Sequence, residues 1–492
     1  MGIIQQQTIK GTIYSYLGVF IGFISINVIQ PHALTTEQVG LNGILLSFSM
    51  LFSQFATLGF SGTSRYFPYF RNEEKKHHGY LFLYCVVALI GTAIFITAVC
   101  VFKEEIISSK AQKSSLFSQY YWFLIPLIIF TVFFNVFEMY ARVLYNAASG
   151  RILTEFTKRL FILITILLIY FNLVDFNTFM ILWLIANIIP TLLLTARLIR
   201  DKQFHLEPNF KFLDKETRTK IIRICIFSLL TASSPVIVDN IDRYIINEKF
   251  GLSNTGIYTM ALYFATIITL PARSLYSIAT TVIAEAWKAN DMGAIRSVYK
   301  KSSINQIITS TFLFIIIWAN VDNIFHFLPP DYQSGKYVIF FIAIGYLIDS
   351  STGINGVIMS TSKYFRYDAM FYVLLIGVTV VCNLILVPIY GITGAAIATA
   401  ITLFIFNLFR CLFILYVFKM HPFTFKSPYT VLIGIVIYFL SVWIVPHIDN
   451  FIIDTIIRTA FITVVYWACI YYLKLSDDIN RLLTGYVMKY RK

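Results

Sequence analysis

Apolar runs of about 20 residues recur from one end of the 492-residue chain to the other. A run of that length forms a helix that crosses about 30 Å of hydrocarbon, and inside a bilayer the backbone polar groups are satisfied only in helices or closed barrels. Charged residues make up 13% of the chain, against about 25% in soluble domains. The sequence therefore predicts an all-α polytopic membrane protein with no separate soluble domain.

We predict 14 membrane spans, with both chain ends in the cytoplasm. The spans lie at about 8–30, 40–60, 80–102, 120–145, 153–173, 177–199, 220–246, 254–284, 302–327, 335–360, 367–389, 393–418, 429–446 and 451–473. Seven of the 39 basic residues then lie on the outer side: Lys103, Lys110, Lys113, Arg243, Lys249, Lys336 and Arg458. This bias satisfies the positive-inside rule. The net charge of +14 follows from topology and attraction to anionic membrane lipids, so it does not indicate a nucleic-acid partner.

The chain contains an internal repeat whose halves run in the same direction. Residues 37–41 resemble residues 253–257 at an offset of 216 positions, and residues 146–151 resemble residues 359–363 at an offset of 213. We predict an N-lobe at 1–200 with helices 1–6, a basic cytoplasmic linker at 201–219, a C-lobe at 220–420 with helices 7–12, and helices 13–14 with a cytoplasmic tail at 421–492. Transporters built from such repeats bind substrate between their halves.

Three stretches carry a family resemblance. They are Pro-Ile-Tyr-Gly-Ile-Thr-Gly-Ala-Ala-Ile-Ala-Thr at 388–399, Asp-Arg-Tyr at 242–244 with Phe-Gly at 250–251 and Gly-Ile-Tyr at 256–258, and Val-Gly-Leu at 39–41 with Leu-Gly-Phe at 58–60 and Arg-Tyr-Phe-Pro at 65–68. In these stretches the chain resembles the polysaccharide flippases, of O-antigen and capsule type, within the multidrug/oligosaccharidyl-lipid/polysaccharide exporter superfamily.

The resemblance implies a flippase that moves polyprenyl-diphosphate-linked oligosaccharide from the inner to the outer leaflet of the cell inner membrane. The implied mechanism is alternating access through a cationic central cavity. The implied role is in lipopolysaccharide or other surface polysaccharide synthesis, together with a polysaccharide polymerase and glycosyltransferases. A coupled proton or sodium ion is left open, and no cofactor is implied. Span 1 has no acidic residue, which argues against the drug-exporter branch of the superfamily.

Three other functions stay open at the level of sequence: a multidrug exporter, a lipid II type exporter, and a membrane-embedded glycosyltransferase or polymerase. Such an enzyme should have a large outer loop with catalytic acids or arginines. The longest predicted outer loop, at 103–119, holds only Glu104 and Glu105 and no Arg. The sequence also has no phosphate-binding Gly-rich loop with Lys and no His and Cys spacing typical of a metal site. We therefore predict a transporter that is not an enzyme.

The family's cavity is lined chiefly by spans 1, 2, 7 and 8, which directs the choice of substrate-binding candidates. Arg273 is the first candidate, because it follows Pro271, where a broken helix can open a cavity wall, and because guanidinium binds phosphate bidentately. Its alternative role is that of an anchor at the lipid headgroups, which is the favoured interpretation for Arg65. The candidates for sugar contacts are Gln54, Ser53, Asn240 and Asn27.

Ionisable residues within spans are costly to bury and are therefore candidates for energy coupling. Asp239 and Asp242 on span 7 are the first and second candidates, followed by Arg243 and Glu138. Asp239 and Arg243 are spaced i, i+4 with the acid first, as are Glu138 and Arg142, and this spacing favours an ion pair on one helix face. Each pair therefore has two interpretations, a coupling group or a structural ion pair.

Overall fold

The structure is a computed structural model that describes residues 3–108, 115–209, 214–446, 448–481 and 484. These residues form helices joined by short turns, and no strand occurs among them. Residues 210–213 of the predicted linker, the predicted tail from residue 485, and Lys110 and Lys113 of the predicted outer loop lie outside the described part. The all-α fold predicted from the sequence is confirmed.

Helices α1 to α7 cover the first half of the chain. They are α1 (Ile3–Phe23), α2 (Thr36–Ala56), α3 (Tyr80–Val101), α4 (Leu124–Val143), α5 (Lys158–Tyr170), α6 (Phe176–Arg200) and α7 (Lys215–Thr266). A π-helix, Ile24–Ile29, and a short helix, Gln30–Ala33, continue α1, and the helix Ala147–Ile152 and a second π-helix, Leu153–Thr157, lead into α5. Short helical turns lie at Phe60–Tyr66, Phe67–Phe70, Lys76–Gly79, Lys103–Ser108, Ser115–Tyr120 and Tyr121–Phe123.

Helices α8 to α14 cover the second half. They are α8 (Leu270–Lys288), α9 (Met292–Ala319), α10 (Lys336–Ser351), α11 (Asn355–Thr361), α12 (Phe365–Phe418), α13 (Lys426–Ile444) and α14 (Phe451–Tyr472). Shorter helical segments lie at Ile267–Thr269, Val321–Phe327 and Pro330–Gly335.

Side-chain caps determine where several of these helices begin. Thr35 and Gln38 form a capping box at the start of α2. Asp175 and Asp291 each accept a backbone N–H at the starts of α6 and α9, and Asn450 accepts two at the start of α14. These contacts satisfy backbone donors that have no partner within the first helical turn.

Two helices are too long to be single spans. α7 has 52 residues and α12 has 54, so at 1.5 Å per residue each measures about 80 Å, more than twice the thickness of the hydrocarbon core. Each is interrupted at a glycine with positive φ, Gly251 (81°) and Gly391 (59°), a conformation that other residues rarely adopt. These breaks fall between the predicted spans 7 and 8 and between the predicted spans 11 and 12.

Ten helical segments among the described residues are long and apolar enough to cross a membrane, or eleven when Pro330–Ser351 and its bent continuation Asn355–Thr361 count as one span. Two of the ten contain the interrupted helices α7 and α12. The chain is therefore a multi-pass membrane protein, and the count of 14 spans stays a prediction.

The chain divides into two compact units, Met1–Thr259 and Met260–Lys492. In the first unit, apolar side chains of α2, α3, α4 and α6 form one core that includes the fully buried Leu41 and Tyr84. The second unit has one apolar cluster where α8, α9, α11 and α12 meet and another where α9, α13 and α14 meet. Most of α7 belongs to the first unit, whereas the predicted C-lobe begins at residue 220; the predicted lobe boundaries stay a prediction.

Within the first unit, α2 contacts α7 with almost no side chain between the two backbones. A Cβ atom placed on Gly40 would lie 1.9 Å from the carbonyl oxygen of Leu252, and one placed on Gly256 would lie 1.9 Å from the carbonyl oxygen of Thr36. Small residues permit such close helix approach. The contact is reciprocal, because Thr36 and Leu252, like Gly40 and Gly256, are related by the predicted repeat offset of 216 positions. We call it the outer contact, after the predicted topology.

A second close approach lies beyond the other end of α2. A Cβ atom on Gly59 would lie 2.0 Å from the carbonyl oxygen of Cys225, and one on Gly62 would lie 2.4 Å from Cβ of Ser228. Gly59 has a φ of 71°, so both its conformation and its surroundings require glycine. We call this the inner contact, and it joins the segment after α2 to the beginning of α7.

Candidate functional site

The clearest candidate site in the first unit is centred on Arg243 of α7. Its Nη1 atom donates hydrogen bonds to Ser47 Oγ on α2, at 3.3 Å, and to Asn240 Oδ1 one turn earlier, at 3.2 Å. Its Nε atom is buried and has no hydrogen-bond partner among the described residues. Because guanidinium has five N–H donors in a planar fork, Arg243 keeps capacity for an anionic ligand.

The two aspartates near Arg243 have different surroundings. Asp242 is 5% exposed, and its Oδ2 accepts a hydrogen bond of 2.6 Å from the Tyr258 hydroxyl. Asp239 lies at an exposed position of α7. Arg243 makes its hydrogen bonds to Ser47 and Asn240, and the predicted Asp239–Arg243 ion pair stays a prediction. Charged residues that are neighbours in sequence therefore face separate environments.

Several buried polar atoms of α2 and α7 have no hydrogen-bond partner among the described residues. They include both side-chain amide atoms of Asn247, which is 0% exposed, together with Asn42 Oδ1 and Thr259 Oγ1. Thr259 Oγ1 would lie 3.0 Å from a Cβ atom on Gly43. Each buried polar group without a partner costs about 1–3 kcal/mol, which lowers the stability of the α2–α7 packing in this conformation.

The remaining candidates on spans 1 and 2 are dispersed. Asn27 is buried within the π-helix Ile24–Ile29, a local distortion that is frequent at functional sites. The Ser53 hydroxyl donates to the Met50 carbonyl, at 3.0 Å, so its proton is directed to its own helix. Gln54 is half-buried, and Arg65 is exposed in the turn that follows α2.

Arg273 lies in the second unit, in the first turn of α8, where its side chain is exposed. Pro271 stands at the beginning of α8, after the 3₁₀ turn Ile267–Thr269. The predicted irregularity near Pro271 is therefore present as a change of helix type. The role of Arg273 as a phosphate ligand or a lipid anchor stays a prediction.

The predicted pair on α4 is present. Arg142 Nη2 lies 2.6 Å from Glu138 Oε1 and 2.7 Å from Oε2. Glu138 is the more buried partner, with 20% of its side chain exposed against 53% for Arg142. A pair with this geometry neutralises Glu138, and a coupling role for Glu138 stays a prediction.

A charged cluster between α1 and the start of α5 was missed from the sequence. Arg159 Nη2 lies 2.7 Å from Glu155 Oε2, and Lys158 lies next to Arg159 in the chain. A Cβ atom on Gly18 would lie 1.7 Å from the Glu155 carbonyl oxygen, and one on Gly22 would lie 3.0 Å from Arg159 Cδ. The two glycines one turn apart in α1 were the available signal, because they leave room for these neighbours.

A second group of buried charges, in the second unit, was also missed. Arg410 on α12 donates to Asp368 Oδ1 from Nε at 2.8 Å, and its Nη2 lies 2.7 Å from the same oxygen. Both side chains are less than 10% exposed. The Arg410 guanidinium also lies 4.0 Å from the centre of the Phe406 ring, a favourable cation–π distance.

A buried amide network lies one turn before Arg410. Asn407 donates to Asp349 Oδ1 at 2.9 Å and accepts from Thr352 at 2.9 Å and from Asn355 at 2.8 Å. This network connects α10, α11 and α12. Neither it nor the Asp368–Arg410 pair has a local sequence signature, because the partners lie 42 to 58 positions apart.

Comparison with known proteins identifies the fold. No protein-family model and no curated protein matches the chain. A solved structure of the lipid II flippase MurJ in an inward closed conformation matches with 15% identity and a TM-score of 0.75, covering 95% of this chain and 99% of that one. An inward-facing multidrug resistance MATE family transporter of the MOP superfamily matches with 13% identity and a TM-score of 0.64, over 82% of this chain and 94% of that one. A MOP superfamily transporter from Pyrococcus furiosus matches with 13% identity and a TM-score of 0.55, over 85% and 94%. At these identities the likeness concerns architecture, and the chain shares the polytopic helical fold of these solved structures.

Proposed function

We propose that this protein is a flippase that moves polyprenyl-diphosphate-linked oligosaccharide from the inner to the outer leaflet of the cytoplasmic membrane. The observation that carries the proposal is the incompletely bonded guanidinium of Arg243 on a membrane-spanning helix, in a chain with this fold. A diphosphate linked to a lipid tail needs a cationic partner at membrane depth, and Arg provides a planar fork that matches phosphate oxygens. The sequence motifs shared with polysaccharide flippases support the same cargo.

Arg243 also helps to separate the proposed cargo from a drug. A half-buried guanidinium whose buried Nε has no partner among the described residues favours an anionic ligand and opposes a cationic one. Lipid II contains the same lipid-linked diphosphate, so a lipid II type exporter is the second candidate, favoured by the structural match to MurJ. The two candidates differ in the sugar, which the surrounding hydroxyl and amide groups would contact.

Alternating access would open and close the outer and inner contacts in turn. Backbone-to-backbone contacts at Gly40 and Gly256 close tightly without interlocked side chains. The unpartnered polar atoms of Asn247 and Asn42 reduce the cost of separation, because they gain hydrogen bonds with water when exposed. We include in the proposal cytoplasmic chain termini, a proton or sodium ion as the coupled ion, and association with a polysaccharide polymerase and glycosyltransferases.

The proposal is tested by the lipid-linked sugar that accumulates in cells lacking the protein. We expect a polyprenyl-diphosphate oligosaccharide on the cytoplasmic leaflet, and its export should be restored by the intact chain. Arg243→Ala and Arg273→Ala should each abolish export with normal protein levels if both residues contact phosphate, and Lys should rescue only partly, because it does not bind bidentately. Arg151→Ala, a change at an exposed arginine of the helix Ala147–Ile152, is the matched control. Accumulation of lipid II alone would support the second candidate, and full export by the Arg243→Ala variant would remove the observation that carries the first.

A further inference from the structure

The loop between α2 and α3 contains a left-handed turn that a chain of L-residues does not favour. Lys76, His77 and His78 have φ angles of 50°, 51° and 50°, and Gly79 follows at 73°. Left-handed conformation in successive residues that carry a Cβ is sterically disfavoured, so tertiary contacts must hold the turn. Residues in such held conformations are frequent at switch regions.

The turn directs His77 into the protein, where the side chain is 2% exposed. Its Nδ1 atom accepts a hydrogen bond of 3.2 Å from the backbone N–H of Asn72. Nδ1 therefore carries no proton, and Nε2, which carries it, donates to Gln203 Oε1 at 3.2 Å. The ring of Phe67 lies 5.3 Å away and the ring of Tyr140 on α4 lies 6.3 Å away. These contacts require a neutral imidazole.

The same loop holds the beginning of the linker between α6 and α7. His77 contacts Gln203, and Lys76 forms an ion pair with Glu207. A Cβ atom on Gly79 would lie 2.7 Å from the Glu207 carbonyl oxygen and 3.1 Å from the Asn209 nitrogen. We call the loop at 72–79 together with the segment at 203–209 the latch. It lies on the predicted cytoplasmic side, like the inner contact, and both connect the chain after α2 to the chain leading into or beginning α7.

The charged groups around His77 act in both directions. Burial of the ring is the largest influence and opposes a proton on it. The hydrogen bond to Gln203 and the charge of Glu73 favour a proton, whereas His205 on the linker and Arg71 on the loop oppose one. α4 presents the uncharged Tyr140. The hydrogen bond from the Asn72 N–H requires the neutral ring in the closed latch, because a protonated Nδ1 has no lone pair with which to accept it.

We propose that the latch is a proton-sensitive contact that holds the linker between α6 and α7, closed when His77 is neutral and released when its ring gains a proton. A free imidazole titrates near pH 6.5. Because the closed latch binds only the neutral ring, and because burial opposes a proton on that ring, the latch is fully stable above that pH and loses stability progressively as the pH falls below it. Release frees residues 203–209 and removes one support of the inner contact. The consequence for transport, an easier opening towards the cytoplasm on acidification, rests on the proposed function.

The test is hydrogen–deuterium exchange of the full-length protein in lipid nanodiscs between pH 7.5 and pH 5.5, corrected for the intrinsic pH dependence of exchange. In the unmodified chain, we expect backbone amides at 203–209 to exchange about tenfold faster at the lower pH, the equivalent of losing one or two hydrogen bonds. The amides of α3 serve as an internal reference, because global unfolding would accelerate both regions. The readout does not depend on transport, so the latch and the proposed function can fail separately.

Two variants and one matched control decide the outcome. His77→Gln has no titratable ring, so exchange at 203–209 should become independent of pH. Gln203→Ala removes the partner on the linker and should give fast exchange at every pH. His78→Gln, at the next position with nearly the same φ, should behave like the unmodified chain. A pH response that persists in His77→Gln, or protection at 203–209 that does not change with pH in the unmodified chain, would overturn the proposal.

Discussion

At the scale of single residues, Arg243 and Arg410 differ in how completely their guanidinium groups are bonded among the described residues. The Nε of Arg243 has no hydrogen-bond partner among the described residues. Arg410 is bonded to Asp368 and lies over the face of Phe406, and its Nη1 would lie 2.9 Å from a Cβ atom on Gly356. An arginine with spare donors suits ligand binding, and one surrounded by fixed partners suits a structural or switching role. This contrast assigns different experiments to the two arginines.

The Asp368–Arg410 pair should show the asymmetry of a buried ion pair. Arg410→Met leaves Asp368 buried without its partner, and we expect a loss of about 3–5 kcal/mol of stability. The double variant Asp368→Leu with Arg410→Met removes both charges and should lose much less. Thermal unfolding of the purified protein in detergent measures both. If the double variant is stable but does not transport, the pair acts in the transport cycle. If its loss of stability equals the sum of the losses from Asp368→Leu alone and Arg410→Met alone, the two residues are not coupled.

An exposed ion pair provides the control for that measurement. Lys336 and Asp322 form a pair in which the Asp322 side chain is 80% exposed. Asp322→Ala should change stability by less than about 1 kcal/mol, because solvent screens such pairs. A similar loss from Asp322→Ala and from Arg410→Met would contradict the assignment of Arg410 to a buried pair.

At the scale of helices, the α2–α7 packing combines very close approach with weak polar bonding. The outer contact holds two backbones together at Gly40 and Gly256, while Asn247 and Thr259 have polar atoms without a hydrogen-bond partner in the described part of the chain. A permanent helix interface would normally satisfy such groups. The proposed alternating access requires this interface to separate.

A disulfide across the outer contact should therefore stop transport. The hydroxyl oxygens of Thr36 and Ser253 lie 2.7 Å apart, so Thr36→Cys with Ser253→Cys can form a bond on oxidation. We expect transport to cease in the crosslinked fraction and to return with a reductant, because the outer contact can no longer open. Transport assays in vesicles, with crosslinking followed by gel mobility, measure this.

The matched control joins α2 to α4, which the proposal does not require to separate. The oxygens of Ser49 and Thr131 lie 3.0 Å apart, so Ser49→Cys with Thr131→Cys tests crosslinking without crossing the outer contact. This pair should crosslink and keep transport. Unchanged transport in the fully crosslinked Thr36–Ser253 variant would show that the outer contact does not open.

The elements also show what the sequence can and cannot predict. The breaks at Gly251 and Gly391 fall where the turns between predicted spans lie, because glycine after an apolar run is a local signal. The Glu138–Arg142 pair was predictable because its spacing is i, i+4. The Asp368–Arg410 pair was not predictable, because it depends on tertiary packing between residues 42 positions apart. The π-helix at Ile24–Ile29 was not predictable either, because it depends on a local change in the backbone hydrogen-bond pattern of one helix.

At the scale of the whole molecule, the multi-pass helical fold agrees with the hydropathy of the sequence, and the distribution of Lys and Arg predicts its orientation in the membrane. The bias of Lys and Arg predicts that the turn between α5 and α6 lies outside and that the linker after α6 lies inside. Both segments contain exposed residues, Leu173 at 69% and Leu206 at 46%. They provide labelling positions beyond the two opposite ends of α6.

Cysteine labelling on intact cells tests this orientation. In a chain whose six native cysteines are replaced, Leu173→Cys should react with a membrane-impermeant maleimide from outside. Leu206→Cys should react only after the membrane is permeabilised. Labelling of Leu206→Cys in intact cells would show that the predicted topology is inverted.

The reciprocal contact of Gly40 with Gly256 also bears on the origin of the chain. In an isologous dimer interface, residue i of one subunit contacts residue j of the other, and the same contact recurs with the two subunits exchanged. In a half-length precursor that paired with its own copy, a single glycine would have met itself, so any mutation there would have altered both faces simultaneously. Duplication and fusion of that gene separate the two positions. Each glycine can then be replaced alone, and the two halves of the contact are free to evolve different properties for the two directions of movement.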